Sequence, residues 1–176
     1  MSESRKRAKQ LFVEYKGNRL QMHRDGHFAE YQALGVTAEE EAHWFEEMAN
    51  HLGSSLSIRD WEAVTGLEMI ARSHPNPQII IQVTAFVTRH LMSADSIVKL
   101  IYAEKLVALI KLLKNELSQD QLYQSYKAAE TLLQHIQASP LVVDPGHELE
   151  LFDLKDKRSL NNRAQKCLDL LYDTIG

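Results

Sequence analysis

Histidine is the first residue type to consider for chemistry, because this chain of 176 residues contains eight of them. His23 and His27 are four residues apart, a spacing that on one helix would suit two zinc ligands. An Asp25-Gly26 turn is predicted between them, so they share no helical face. The other histidines show neither the H-E-x-x-H pattern nor a nearby cysteine pair. We therefore predict no metal site and no cofactor.

Other catalytic signatures are equally sparse. The single cysteine, Cys167, occupies an apolar position of a predicted helix, which favours a buried structural thiol over a nucleophile. Aspartate and glutamate total 24, but no pair stands out as an acid–base couple. The chain contains no glycine-rich phosphate loop and no G-x-S-x-G motif. These observations favour a protein that is not an enzyme.

One aromatic group indicates binding instead. Phe12, His23 and Phe28 become neighbours in the strand pairing described next, on a face that is otherwise charged or amide-bearing. Exposed apolar patches often mark partner sites. The alternative is that residues 1–10 or the helical part of the chain covers them. We predict Phe12, His23 and Phe28 as candidate partner-binding residues.

The elements that would position these residues begin with a β meander over residues 11–34. Gly17-Asn18 and Asp25-Gly26 are two-residue hairpin signals flanked by alternating apolar and polar residues. Two independently assigned hairpins place the same set of side chains on one face: Val13, Tyr15, Leu20, Met22, Ala29 and Tyr31. The agreement predicts a three-stranded antiparallel sheet with that face buried.

A helix is expected to cover the sheet. Thr37 and Glu40 form a capping box at its start, and Gly53 marks its end. Its apolar side carries three large residues: Trp44, Phe45 and Met48. Residues 1–53 are thus predicted to form one module.

Residues 54–176 are predicted to be helical. Asn76-Pro77 begins a helix whose body is apolar on nearly all sides and is expected to be central, and Ser118 with Gln121 caps another. Helices are also expected near residues 57–73, 95–115 and 158–175. Short connections favour antiparallel neighbours, in a bundle or a short solenoid-like stack. The predicted class is α+β, mostly α, in which the two parts are separate or share one core.

Residues 138–157 interrupt the helical pattern. Pro140, Pro145 and Gly146 exclude a continuous helix, and Asp144-Pro145-Gly146 fits a type II turn. We predict either a small hairpin or a long acidic loop, and long loops often carry function.

Charge is distributed unevenly around a net value of −4. Residues 1–27 carry seven basic and three acidic side chains, whereas residues 37–62 carry one basic and seven acidic side chains. A basic segment can bind phosphates, but the acidic helix behind it would repel nucleic acid. The chain has no apolar run that could cross a bilayer and no secretory leader, and its lone cysteine suits a reducing compartment.

The sequence therefore predicts a cytoplasmic, non-enzymatic protein–protein interaction module, such as an adaptor, a regulator or an inhibitor of another protein. One alternative is a nucleic-acid-associated regulator that uses the basic N-terminal segment. The other is an enzyme with an unrecognised site.

Overall fold

The computed structural model describes all 176 residues and contains only helices. Nine α-helices follow in order: α1 Glu3–Glu14, α2 Arg19–Arg24, α3 Phe28–Ala33, α4 Ala38–Ser54, α5 Glu62–Ser73, α6 Pro77–His90, α7 Ser96–Leu113, α8 Gln119–Ala138 and α9 Lys157–Ile175. Three 3₁₀ turns lie at Leu91–Ser93, Lys114–Glu116 and Leu149–Phe152. The predicted α+β class is wrong, because no residue lies in a β-strand.

Short helices replace the predicted β meander. Asp25-Gly26 does form a turn, but this turn ends α2. Gly26 has a φ of +80° and donates to the His23 carbonyl, and the His27 N–H donates to the Met22 carbonyl at 2.8 Å. These are the two hydrogen bonds of a Schellman motif. A glycine at positive φ serves a helix C-terminus as well as a hairpin, so the dipeptide did not distinguish them.

Gly17-Asn18 likewise suits either a hairpin turn or the end of a helix. Gly17 has a φ of +72° and its N–H donates to the Phe12 carbonyl after α1 ends. Asn18 then caps α2 by accepting a hydrogen bond from the Gln21 N–H. A side chain at Gly17 would also clash with the Phe45 ring. Both predicted hairpin turns are therefore helix boundaries.

The predicted sheet face disappears with the sheet. Met22 and Tyr31 are buried, but Val13, Leu20 and Ala29 are exposed. The predicted face required every second residue to lie on the same side, as in a strand. These residues are helical, and in a helix positions two apart do not share a face.

An aromatic cluster holds α1, α3 and α4 together. The Phe12 ring of α1 lies 4.7 Å from that of Phe45, 5.4 Å from that of Trp44 and 6.4 Å from that of Tyr31, measured between centroids. The capping box of Thr37 and Glu40 is confirmed, and so is the burial of Trp44, Phe45 and Met48. The predicted apolar side of α4 is therefore correct, although it covers helices rather than a sheet.

Helix α7 is the centre of the remaining bundle. Twelve of its eighteen residues are buried, and α5, α6, α8 and α9 all pack against it. The sequence predicted α6 at the centre, but α6 is exposed at Thr88, Arg89 and His90 near its end. The predicted start of α6 is confirmed, with Asn76 as cap and Pro77 in the first turn. The predicted capping box of α8 is confirmed as well.

A single cluster of 38 buried residues runs from Ala8 to Leu171. Residues 1–53 and residues 54–176 both contribute to it, so they share one hydrophobic core. None of the helices has the length and apolar character needed to traverse a bilayer.

The segment after α8 forms no hairpin. The turn at Asp144-Pro145-Gly146 is present, since the His147 N–H donates to the Asp144 carbonyl and Gly146 has a φ of +89°. A 3₁₀ turn then leads to α9, whose first turn is capped by Asp156.

Candidate functional site

A surface groove of about 640 Å³ lies between α6 and α8. Short side chains line much of it, which explains why the two helices leave space there: Thr84, Ala85, Thr88, Ala128 and Thr131. Longer lining side chains reach into solvent, with Met92 39% exposed and Tyr123 61% exposed. The groove is therefore an open channel with partly apolar walls.

The length of the groove follows from its lining. It extends from Ile80 to Met92 along the α6 side and from Gln121 to Thr131 along α8. At 1.5 Å per residue these segments measure roughly 15–18 Å, or about three helical turns. An amphipathic helix binds such grooves through apolar residues spaced three to four apart.

The charge of the groove is opposite to that of the whole chain. Its charged lining residues are Arg89 and Lys127, and no carboxylate lines it. Lys127 forms a 3.2 Å ion pair with Glu130, whereas Arg89 makes no ion pair. In a protein of net charge −4, this surface favours an occupant with acidic side chains.

A buried hydroxyl adds a polar feature to the wall. Thr84 Oγ1 is buried and has no hydrogen-bond partner, although the Thr84 carbonyl accepts a bond from Thr88 Oγ1 at 2.9 Å. A buried polar atom without a partner costs roughly 1–3 kcal/mol. The Thr84 hydroxyl therefore makes no hydrogen bond within the chain.

The three residues predicted from sequence as a patch do not lie together. Phe12 is 0% exposed and belongs to the aromatic core of the N-terminal helices. His23 and Phe28 remain adjacent, with ring centroids 6.3 Å apart, and Phe28 is half-buried. The three residues therefore do not form an exposed patch, because the paired strands that would bring them together are absent. Partner binding by His23 and Phe28 remains a prediction.

The loop after α8 is held by a cluster that the sequence reasoning missed. Asp95 is buried and caps α7 by accepting from the Val98 N–H at 2.8 Å. Its other oxygen accepts from the Asp144 N–H at 2.9 Å and lies 2.5 Å from His147 Nδ1. Asp95, Asp144 and His147 are close enough to resemble a metal site, but hydrogen bonds already occupy Asp95.

The neighbouring Ser96 joins the same loop to α7. Its N–H donates to the Val142 carbonyl at 2.8 Å, and its hydroxyl accepts from the Val142 N–H at 2.9 Å. Trp61 packs on the far side, 5.1 Å from the His147 ring and 5.0 Å from the Phe152 ring. The available sequence signal was the helix-capping Asp95 directly before an apolar helix.

Cys167 is only 6% exposed, as predicted for a structural thiol. Burial, followed by the nearby charge of Glu104, raises the pKa of Cys167 to about 12. The thiol is therefore protonated at neutral pH and is a poor nucleophile.

The uneven charge of the sequence has an internal explanation. Basic residues of the first two helices lie against acidic α4, in three ion pairs: Arg5–Glu40 at 3.2 Å, Lys9–Glu47 at 2.6 Å and Arg19–Glu41 at 2.5 Å. Arg7 pairs with Glu30 of α3 at 2.6 Å. Much of the basic charge of residues 1–27 therefore faces carboxylates of the same chain.

No protein family model matches this chain, and no curated protein or solved structure does either.

Proposed function

We propose that this protein is a non-enzymatic interaction module, acting as an adaptor, regulator or inhibitor, and that the α6–α8 groove holds an amphipathic helix of a partner protein. The observation that carries the proposal is the open groove of about three turns, with apolar walls and two cations. Apolar residues of the partner would fill the space above the short side chains. Acidic residues beside them would face Arg89, which makes no ion pair, and would compete with Glu130 for Lys127.

The arrangement of charge supports a protein partner over nucleic acid. The basic N-terminal segment is the feature that favoured nucleic acid, and Arg5, Lys9 and Arg19 form ion pairs with α4. Phosphate binding would have to displace these carboxylates. We also propose that the protein acts in the cytoplasm, where a lone thiol such as Cys167 stays reduced.

Site-directed photocrosslinking in the native cell tests this function. The photoreactive residue p-benzoylphenylalanine replaces Thr88, which lines the groove and is exposed. Leu20 on α2, which is 62% exposed and outside the groove, provides the matched control position. We expect a discrete adduct from Thr88 and none of the same mass from Leu20.

The crosslinked segment of the partner decides the outcome. Mass spectrometry should place it in an amphipathic helix with acidic residues beside its apolar stripe. A peptide of that segment should bind the wild-type protein. The Ala85→Glu variant should bind this peptide about tenfold or more weakly, because the glutamate adds bulk to the groove and repels the acidic side chains of the peptide. Leu20→Glu should bind as the wild type does. Identical adducts from both positions, or a basic or extended partner segment, would contradict the proposal.

A further inference from the structure

Three basic side chains from three helices converge where α8 ends. Lys99 Nζ of α7 lies 3.1 Å from His135 Nε2 of α8. Lys157, the first residue of α9, donates through Nζ to the carbonyl of Ile136, next to His135 in the chain. The Ser139 hydroxyl lies 3.4 Å from His135 Nε2. Lys99 and Ser139 thus meet at the His135 ring, and Lys157 lies close enough to act electrostatically on both Lys99 and His135.

No carboxylate neutralises this cluster. None of Lys99, His135 and Lys157 forms an ion pair. The carboxylate that acts on Lys99 electrostatically is Asp95, and its hydrogen bonds go to Val98, Asp144 and His147. The positive charge of the cluster therefore remains available to an external anion.

Other helix pairs in this protein are bridged differently. Where other basic side chains join two helices through a side chain, the partner is a carboxylate: Arg5–Glu40, Arg7–Glu30, Lys9–Glu47, Arg19–Glu41 and Arg163–Glu104. Between α7 and α8, Lys99 Nζ instead donates to Nε2 of His135. Lys157 brings a second ammonium group to the same end of α8.

Titration behaviour agrees with the geometry. Burial lowers the pKa of Lys99, the nearby charge of Asp95 raises it, and the charge of Lys157 lowers it by a smaller amount. Burial, followed by the charges of Lys99 and Lys157, lowers the pKa of His135. Burial is the leading cause for both groups and the neighbouring ammonium charges add to it, so a bound anion would favour the charged forms of Lys99 and His135.

We propose that Lys99, His135 and Lys157 form a binding site for a phosphate-type oxyanion, supplied as inorganic phosphate or as the phosphate group of a small monoester. Ammonium groups donate strong, charge-assisted hydrogen bonds to such oxygens, and the His135 ring would do so in its protonated form, which a bound anion favours. The Ser139 hydroxyl provides a further donor. None of these residues lines the α6–α8 groove, so the proposal is independent of the partner helix.

Thermal unfolding of the full chain tests the site, with sodium phosphate compared against sodium chloride at equal ionic strength. At a phosphate concentration ten times Kd we expect Tm to rise by roughly 3–6 °C. Lys99→Gln and Lys157→Gln should abolish the rise. Lys111→Gln, an exposed position on the same helix α7, should retain it. No rise in the wild type, or an equal rise in all four proteins, would overturn the proposal.

A second measurement covers variants that fold poorly. The pKa of His135, followed by NMR in the wild-type protein, should be higher in phosphate than in chloride, because the anion favours the imidazolium. His43, which lies on α4, serves as an internal reference and should not respond. An unchanged His135 pKa would count against the site. Comparing inorganic phosphate with glycerol phosphate at equal concentrations shows whether free or esterified phosphate is preferred.

Discussion

The α1–α4 layer and the bundle around α7 hold their helices together in different ways. The layer relies on one aromatic cluster centred on Phe12 and on ion pairs at its surface. The bundle relies on an apolar helix that has neighbours on every side. Helices of six residues, such as α2 and α3, are too short to be stable alone. The layer therefore depends on a few large side chains, whereas the bundle spreads its burial over many.

Removal of Phe12 should break the layer before the bundle. Phe12→Ala takes a fully buried ring from the contact with Tyr31, Trp44 and Phe45, and should cost about 3–5 kcal/mol of unfolding free energy in urea titrations. Phe28→Ala, at a half-buried ring, should cost about 1 kcal/mol.

Hydrogen exchange of the Phe12→Ala protein sharpens the comparison. Amides of α1–α3 should lose protection, while those of α7 keep theirs, because local stability follows local burial. If α7 loses protection to the same extent, the layer and the bundle unfold as one unit, and their local stabilities do not differ.

In the bundle, several polar contacts depend on the buried side chain of Asp95. Asp95→Ala leaves the Val98 and Asp144 N–H groups and His147 without their shared acceptor, and should cost about 3 kcal/mol. The loop of residues 138–157 should become sensitive to protease. Asp144→Ala is the matched control, since its side chain is exposed and its N–H remains. A protease-resistant Asp95→Ala protein would show that Ser96 and Trp61 suffice to hold the loop.

The ion pairs of the layer should matter less than its aromatic cluster. Glu47→Gln removes the pairs with Lys9 and with His43 and should cost less than about 1 kcal/mol at low salt, and nothing at 1 M salt. Lys9 lowers the pKa of Glu47 in the folded protein. The contribution is therefore complete above the ordinary value of 4.5 and disappears as the pH falls through the lower folded value.

Chemical denaturation at pH 7 and pH 3 checks this effect. The wild-type protein should lose its advantage over Glu47→Gln between the two pH values. Glu39→Gln provides the control, because Glu39 is exposed and makes no ion pair. A difference that persists at pH 3 would assign the effect of Glu47→Gln to packing rather than charge.

The smallest expected change is a gain in stability, from a substitution in the bundle. Thr84→Val replaces a buried hydroxyl that has no partner with a methyl group, and should raise stability by up to about 1 kcal/mol. Thr88→Val, which loses a bond to the Thr84 carbonyl on an exposed side chain, should be neutral or slightly destabilising. If Thr84→Val destabilises the protein instead, the hydroxyl has a partner in solution, such as a bound water.

The bundle was predictable from sequence where local signals act within one helix. Asn76-Pro77, Ser118 with Gln121, and the apolar stripe of α9 define their helices through capping and a period of 3.6. The centre of the bundle was less clear, because α6 and α7 are both rich in apolar residues. Only the packing of the helices shows that the side of α6 that carries Thr84 and Thr88 faces the groove.

The layer was not predictable by the same means. Each of α2 and α3 makes fewer than two turns, so six residues fit a period of 2 as easily as 3.6. The glycines at 17 and 26 permit positive φ in either structure. Agreement between two hairpin registers was not independent evidence, because both rested on the same interpretation of the glycines.

The candidate sites lay beyond sequence reasoning for another reason. The groove joins helices separated in the chain by α7, and the basic cluster joins Lys99, His135 and Lys157 from three helices. No spacing rule connects residues so far apart. Their proximity follows only from how α7 gathers its neighbours.

The position of α7 along the chain also affects synthesis on the ribosome. The helix that every bundle neighbour packs against begins at Ser96, so α1–α6 emerge before it exists. At 5–20 residues per second, the roughly 50 residues from the start of α5 to the end of α7 take about 3–10 s to synthesise. During that interval apolar residues of α5 and α6, including Leu67, Ile70 and Val83, lack the cover that α7 later provides. Until α7 is made, this apolar surface of the nascent chain is open to association with other molecules.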